Sequence, residues 1–430
     1  MNTDSIPSAD GRADGDFLSE LRWRGLYAQC SDESALVSHL AAGRRKAYVG
    51  LDPTADSLTI GNLCTLILLA HFQRAGHHPV IVAGGGTGLI GDPGGKSAER
   101  PLLPLETIRA NVEGQLRIYE RLLPGATVLN NADWLVGLSY VEVLRDVGKY
   151  FSVNEMIKRD SVRNRLEADG ISYTEFSYML LQSYDYAHLN RTKGVTIQMG
   201  GSDQWGNIVS GVDLIRRTTG TQAFALTCPL LTKSDGSKFG KSEAGAVWLT
   251  EDRTSPYSFH QFWLNSDDAD VARYLKVFSF RTEDEINELV SESQNDPRRR
   301  LAQRALADEL TERLHGSQAA QRAEAAGRAL FTGDVRGLDL PTLREVFADV
   351  PSMRASKETL GARTLVETLV EVGAAKSNRE AREFVGSGAV ALNGEKVAED
   401  RTLRPDDLLA QSMTLLRRGK RNWYAVQWVD

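Results

Sequence analysis

The chain has 430 residues, 41% of them hydrophobic and 25% charged, a composition that excludes collagen-like, low-complexity and disulfide-scaffold classes and leaves room for two or three globular domains. The net charge of -6 argues against indiscriminate nucleic-acid binding but permits a local basic face. Cys30, Cys64 and Cys228 stand far apart with no Cys-x-x-Cys, so neither a disulfide framework nor a zinc site is expected, and a reducing compartment suits them. The apolar run at 66–70 is far short of a membrane span, and no apolar signal core opens the chain. A cytoplasmic protein is expected, without membrane contact.

Residues 1–16, rich in Ser, Asp, Gly and Ala, are expected to be a disordered extension. A helix is predicted over 17–28 and a buried strand over 46–51, closed by the turn at Asp52-Pro53. An apolar helix over 63–74 ends at Gly76, and 79–83 is the next buried strand. Strand, helix and strand with short connections make a βαβ unit and hence a parallel sheet. Further strands are predicted at 126–129 and 195–199. The fold class expected for 17–228 is therefore α/β, a doubly wound parallel sheet of Rossmann-like form. Residues 229–254 form a polar connector, 255–330 a helical domain opened by Ser255-Pro256, and 331–360 a linker. The last part, 361–430, has helices over 364–372 and from 377, a turn at 386–388 and a strand over 389–394, which makes a small α+β domain.

Two short motifs carry the chemistry. Asp52-Pro-Thr-Ala-Asp-Ser-Leu-Thr-Ile-Gly-Asn62 leaves a strand and enters a helix, where free N–H groups and the positive dipole end suit phosphate. Gly61 allows close approach of a nucleotide, and Thr54, Thr59 and Asn62 can donate hydrogen bonds to its oxygens. The same segment also reads as a helix capped by Ser57 after a proline turn. Lys238-Phe-Gly-Lys-Ser242 puts two lysines three residues apart in a glycine-rich loop, able to close over a leaving pyrophosphate or simply to sit as a charged surface loop.

Gly86-Thr-Gly-Leu-Ile-Gly91 matches GxGxxG, but Asp92-Pro-Gly-Gly breaks the chain at once instead of opening a helix. The P-loop reading fails too, because Ile90 stands where a glycine is required. What remains is a loop whose backbone lies close to a small substrate, with Asp92 facing it. On the predicted helix 176–185, Tyr178, Gln182 and Asp185 at i, i+4 and i+7 share one face, which is either a site or a solvated stripe. Asp203 and Gln204 lie in a glycine-rich turn after the strand ending at Met199, where α/β sheets bind ligands.

Together these motifs resemble the bacterial-type tyrosyl-tRNA synthetases, class I enzymes, from about residue 17 to the end. The front segment is similar to their HIGH motif but carries Thr59 and Asn62 in place of two histidines. Lys238 to Ser242 resembles the KMSKS motif, and the last domain resembles the S4-type RNA-binding domain. The resemblance implies activation of L-tyrosine with ATP to tyrosyl-adenylate and pyrophosphate, then transfer of tyrosine to the 3′ end of tyrosine tRNA. Thr54, Thr59, Asn62, Lys238 and Lys241 would stabilise the reacting phosphates. Asp52, Gly61, Asp203, Lys96 and Arg100, with the two lysines, would hold ATP. Tyr48 and Asp185 would meet the substrate hydroxyl, Asp92, Tyr178 and Gln182 its ammonium, and Gln204 would lie near its carboxylate. Lys376, Arg379, Arg382, Arg417, Arg418, Lys420 and Arg421 would face RNA. ATP is implied as a substrate with Mg2+, with no tightly bound cofactor and no resident metal. A homodimer is implied, with 151–166 as the candidate interface. The substitutions at Thr59 and Asn62 motivate a different reading, an RNA-binding paralogue that has lost catalysis.

Overall fold

The computed structural model describes residues 16–93, 102–167, 170–237, 239–242, 245–348, 350–419 and 422–430. Most of the expected N-terminal extension, 1–15, lies outside the described residues, as do Lys96, Arg100, Lys238, Lys420 and Arg421. The chain forms two compact units. One runs to Arg253 and includes Ser266–Leu306; the other comprises Thr254–Asn265 and Ala307–Asp430.

The first unit begins with helices α1 (Asp16–Arg24) and α2 (Glu33–Ala41) around a short edge strand, β1 (Gln29–Cys30). Then follow β2 (Lys46–Leu51), α3 (Ile60–Arg74), β3 (His78–Ala83), α4 (Leu105–Leu122) and β4 (Thr127–Asn130). After a run of short helices come α5 (Tyr173–Lys193), β5 (Ile197–Gly201), α6 (Trp205–Thr219) and β6 (Phe224–Cys228). The sheet order is β1-β6-β5-β2-β3-β4, parallel throughout except for the antiparallel edge strand β1. Sequence order runs outward from β2 in one direction and from β5 in the other, so the order reverses between them. In open α/β sheets ligands bind at the carboxyl ends of strands at that reversal.

Burial explains the local choices. β3 is apolar along nearly its whole length, as a parallel strand covered on both faces must be. Leu63, Leu66, Ile67, Leu68, Leu69 and Phe72 of α3 are all fully buried; at roughly 1.5–3 kcal/mol for each such side chain, this helix is a major contributor to the core. It starts at Ile60 rather than 63, because Thr59 with extended backbone serves as its N-cap, not Ser57. α5 is capped by Ser172, whose hydroxyl accepts from Glu175 N–H, and ends on Gly194 at φ 68°. At its start Arg165 and Glu175, both buried, are joined by two bonds of 3.0 Å.

The connector after β6 forms a small hairpin, β7 (Lys241–Ser242) with β8 (Gly245–Ala246). It is anchored by Phe239, whose ring packs on Tyr274 and Phe278 at centroid distances of 4.9 and 5.5 Å. Helices Asp268–Phe278 and Glu283–Asn295 belong to this first unit, whereas Pro256–Leu264 and Ser317–Thr332 belong to the second.

The second unit is built around a five-stranded sheet. The segment 331–360 carries regular structure, a helix at Leu340–Val346 opened by a proline in its first turn and strand β9 (Ser352–Ser356). Then come helices Leu365–Glu371 and Asn378–Gly386 and strands β10 (Val390–Leu392), β11 (Glu395–Val397), β12 (Met413–Arg418) and β13 (Asn422–Val429). The order is β11-β10-β12-β13-β9, with β9 parallel to β13. Leu365, Leu369, Val390, Leu416 and Val426 fill its core.

Candidate active site

A cavity of about 280 Å3 opens at the carboxyl ends of β2 and β5, where the strand order reverses. It is lined by Tyr48, Asp52, Thr54, Gly61, Asn62, Asp92, Tyr178, Gln182, Asp185, Asp203 and Gln204. Eleven residues singled out in the sequence, scattered over more than 150 positions, thus meet in one place. Thr59 does not line the cavity.

At the floor, Tyr48 of β2 and Asp185 of α5 are 1% and 3% exposed. Burial pushes the Asp185 carboxyl up to about 7; bonds from Asn131 and Trp134 oppose the rise, and the nearby Asp52 charge adds to it. Asn131 Nδ2 donates to one carboxylate oxygen at 2.8 Å and Trp134 Nε1 to the other at 2.7 Å. His188 stacks on the Trp134 ring at 4.7 Å and holds it in place. The Tyr48 hydroxyl is raised well above the ordinary phenol range by burial and by the charge of Asp185. It finds no hydrogen-bond partner among the described residues. A buried hydroxyl in that state costs about 1–3 kcal/mol, which a ligand group can recover.

One step up, Tyr178 Oη donates to Asp52 Oδ2 at 2.9 Å and Thr87 Oγ1 donates to Asp52 Oδ1 at 2.8 Å. The Tyr178 hydroxyl is held far above the usual phenol range by burial, then by the charges of Asp52 and Asp92. Gln204 Nε2 donates to Asp92 Oδ2 at 2.6 Å, and Asn207 Nδ2 to Gln182 Oε1 at 3.0 Å. A cavity with this density of carboxylate suits a cationic group such as an ammonium. Asp52, expected at the nucleotide, sits against Tyr178 in this cluster.

The glycine-rich loop has its own explanation. A Cβ on Gly84 would lie 2.2 Å from Asp52 Oδ1 and 2.6 Å from Thr87 Oγ1. The glycine therefore makes room for a carboxylate, and the segment from Thr87 to Leu89 is a single 3-10 turn rather than a dinucleotide-binding helix start.

Toward the mouth, the first turn of α3 presents Gly61 and Asn62, and Thr54 is exposed beside them. Asn111 and Gln115 of α4 donate to the carbonyls of Pro53 and Ala55 at 2.9 and 2.8 Å and so fix the loop that carries Thr54. The lysine-loop backbone pairs with this turn: Ile60 N–H donates to Val247 O at 3.0 Å and Leu249 N–H to Leu58 O at 2.8 Å. Gly240, at φ 90°, approaches so closely that a Cβ there would lie 3.3 Å from the Gly61 nitrogen. Lys241 falls in β7, directly after that contact. Thr59 spends its backbone N–H and its hydroxyl on Asn62 Oδ1, both at 3.0 Å.

Sequence reasoning missed Asn131, Trp134, Thr87, Gln198 and Asn207. Asn131 and Trp134 begin the turn just after β4, so the strand-end position was the available signal. Gln198 pairs in register with Tyr48 across β5 and β2, and its Oε1 also lacks a partner among the described residues. In the second unit, Lys376, Arg379 and Arg382 are exposed on and beside one helix. Arg417 lies over the Trp423 ring at 5.1 Å, while Arg418 lies over Phe384 and donates to Ala374 O.

A family model described as "tRNA synthetases class I (W and Y)" matches residues 41–332. The chain belongs to this family of class I tRNA synthetases. A second model, "Tyrosine--tRNA ligase SYY-like C-terminal domain", matches residues 342–426. The chain is 47% identical over 419 residues to a protein named Tyrosine--tRNA ligase from Staphylococcus haemolyticus (strain JCSC1435), covering 96% of this chain and 99% of that one. It is 47% identical over 421 residues to the protein of the same name from Geobacillus kaustophilus (strain HTA426), covering 96% and 100%. Among solved structures, a C-terminally truncated Aspergillus nidulans mitochondrial tyrosyl-tRNA synthetase is similar with a TM-score of 0.66 and 32% identity, covering 73% of this chain and 94% of that one. A Plasmodium falciparum tryptophanyl-tRNA synthetase, at 15% identity and a TM-score of 0.52 over 76% of this chain and 87% of that one, shares the fold alone.

Proposed function

We propose that the protein is a tyrosine–tRNA ligase, which activates L-tyrosine with ATP and transfers it to tyrosine tRNA. The observation that carries this reading is the pair at the cavity floor. Tyr48 offers a hydroxyl without a partner among the described residues, next to an Asp185 carboxylate held by donors on both oxygens. A phenol fits both: it donates to the carboxylate and accepts from Tyr48. An indole N–H can donate to Asp185 but has no lone pair for Tyr48, and a phenylalanine ring can do neither. Sites that pair a substrate hydroxyl in this way reject the deoxy analogue by roughly 10⁴–10⁵, a magnitude for which the tyrosyl family is itself the standard example. The family model spans tryptophan and tyrosine enzymes, so this pair favours one of the two.

With the ring seated there, the ammonium meets Asp92, Tyr178 and Gln182, and the carboxylate turns toward the mouth beside Gln204. The carboxylate oxygen attacks the α-phosphorus of ATP, the bond to the β-bridging oxygen breaks, and pyrophosphate leaves. In the second step the ribose hydroxyl at the tRNA 3′ end attacks the acyl carbon and AMP leaves. No side chain is required as a general base; the site works by positioning and by donors aimed at developing charge. Thr54, Asn62 and the dipole of α3 serve the phosphates, with Lys238 and Lys241 over the leaving group and Lys96 and Arg100 in the adjoining segment. Gly61 and Asp203 flank the nucleoside. Mg2+ would come with the triphosphate as part of the substrate and would neutralise its charge.

Lys376, Arg379 and Arg382 provide exposed cations for tRNA phosphates, joined by Lys420 and Arg421. A homodimer is supported by exposed apolar side chains in one stretch, among them Val141, Val153, Ile157 and Tyr173, which include the interface expected at 151–166. No helix among the described residues is long and apolar enough to cross a membrane, and a cytoplasmic location fits the three free cysteines. The test is exchange of labelled pyrophosphate into ATP without tRNA, with tyrosine, phenylalanine and tryptophan compared. Exchange with tyrosine alone is expected; no exchange with any of the three sinks the ligase reading and leaves the RNA-binding paralogue.

A further inference from the structure

We propose that Thr59 is a positioning residue whose task is to aim the Asn62 amide at the nucleotide, so that the two residues act as one unit; this rests on the ligase reading above.

The geometry decides which way the amide points. Thr59 N–H lies 3.0 Å from Asn62 Oδ1, and Thr59 Oγ1 lies 3.0 Å from the same atom. A backbone N–H can only donate, so the atom it meets must be the amide oxygen and not the nitrogen. The two ends of an asparagine amide, otherwise hard to tell apart, are thereby assigned by chemistry. Nδ2 is left on the side away from Thr59, and Asn62 lines the cavity while Thr59 does not. Nδ2 makes no hydrogen bond to any described residue. Nearby donors are already engaged: Ile60 N–H is taken by Val247 O at 3.0 Å and Asn62 N–H by Thr59 O at 2.9 Å. The Asn62 side chain is thus a donor that this turn still has to offer.

Thr59 is itself held firmly. It pairs as an antiparallel bridge with Trp248, and its branched Cβ restricts χ1. Each hydrogen bond into Oδ1 also polarises the amide and makes the N–H groups at the other end stronger donors. The result is a neutral donor, fixed in direction, at the positive end of a 15-residue helix. The neighbourhood that holds Thr59 is the lysine-loop backbone, so the amide is aimed only while that loop is packed against α3.

The experiment measures the ATP dependence of tyrosine-driven pyrophosphate exchange in the full chain, at saturating tyrosine, with tyrosine affinity measured separately by equilibrium binding. Asn62→Ala should lower kcat/KM for ATP by about ten- to a hundredfold, as expected for loss of a bond to a charged group. Thr59→Val, which keeps shape and loses the hydroxyl, should lower it by about three- to tenfold, and Thr59→Ser should restore most of that. In an Asn62→Ala background Thr59→Val should cost nothing more, since the only route for its effect is gone. Asn62→Asp retains the acceptor for Thr59 and a favourable charge at the helix start, so it should fold as well as the parent. It should still lose at least a hundredfold in kcat/KM for ATP, because Nδ2 is replaced by an anion. Tyrosine affinity should be unchanged in all of them.

An active parent in which Thr59→Val costs the same with and without Asn62 overturns the proposal and leaves the ligase reading standing. So does an Asn62→Asp protein with parental ATP kinetics. A parent with no tyrosine-dependent exchange overturns the ligase reading, and the proposal with it.

Discussion

Asp185→Asn separates recognition of the substrate hydroxyl from the stability of the fold. The replacement has the same shape but must place an NH2 group where a carboxylate oxygen was. One oxygen position faces Asn131 Nδ2 at 2.8 Å and the other faces Trp134 Nε1 at 2.7 Å. Whichever way the amide is set, a donor meets a donor. Asn131 cannot simply step aside, because its Oδ1 accepts from Gly86 N–H at 2.7 Å and its Nδ2 also reaches Thr87. Loss of the charge-assisted bond from tyrosine removes about 1.5–3 kcal/mol, and the disturbed neighbours add roughly 1 kcal/mol. We therefore expect kcat/KM for tyrosine in pyrophosphate exchange to fall by about 10²–10³.

Stability should move differently. Burial raises the Asp185 carboxyl from 3.8 to about 7. Below the lower value both folded and unfolded chains hold the proton, and the neutral form is easily buried. Between the two values the folded protein retains a proton that the unfolded chain has lost, so this group's contribution falls as pH rises and levels off above 7. The total is about 4 kcal/mol. Asparagine has no such slope. Relative to the parent the variant should gain stability from pH 5 to pH 8 in urea titrations, while its activity at pH 8 stays low. The parent's kcat/KM for tyrosine should rise from pH 6 to pH 8 as the carboxyl ionises. A variant within threefold of the parent in tyrosine kcat/KM, or one whose loss at pH 8 is matched by unfolding, refutes the reasoning.

Tyr48→Phe removes a hydroxyl that has no partner among the described residues, so thermal stability of the free protein should hold or rise while tyrosine kcat/KM falls about three- to tenfold. Gly240→Ala places a side chain at φ 90°, 3.3 Å from the Gly61 nitrogen; with strain of about 1–2 kcal/mol pushing the lysine loop off α3, kcat should fall about tenfold with the KM for tyrosine unchanged. Replacing Lys376, Arg379 and Arg382 together with glutamine should leave pyrophosphate exchange intact and weaken tRNA binding. The slope of log affinity against log salt should flatten by about 2, at roughly 0.7 per lost phosphate contact; an unchanged slope would place the tRNA elsewhere.

What could be read in advance follows from how local each signal is. β2, β3 and the turns after β2 and β5 declared themselves because a parallel strand is a continuous apolar run and the residues that follow it sit at a ligand crevice. Tyr178, Gln182 and Asp185 were legible because a helix repeats its face at fixed intervals. Asn131 and Trp134 were not, since their importance comes from reaching Asp185, more than fifty positions away, and no periodicity encodes that. The start of α3 was misplaced because a helix buried on nearly every face shows no stripe, so its cap had to be judged from hydroxyls that were equally eligible. Ser57 and Thr59 could both cap; the structure shows Thr59 doing so with its hydroxyl spent on Asn62. Comparison with the family motif treats the two departures from histidine as separate losses, each weakening phosphate stabilisation. The hydrogen bond between them says otherwise. The threonine hydroxyl reinforces the backbone N–H that orients asparagine, and asparagine supplies the donor that reaches the nucleotide, so loss of the hydroxyl is felt only through asparagine.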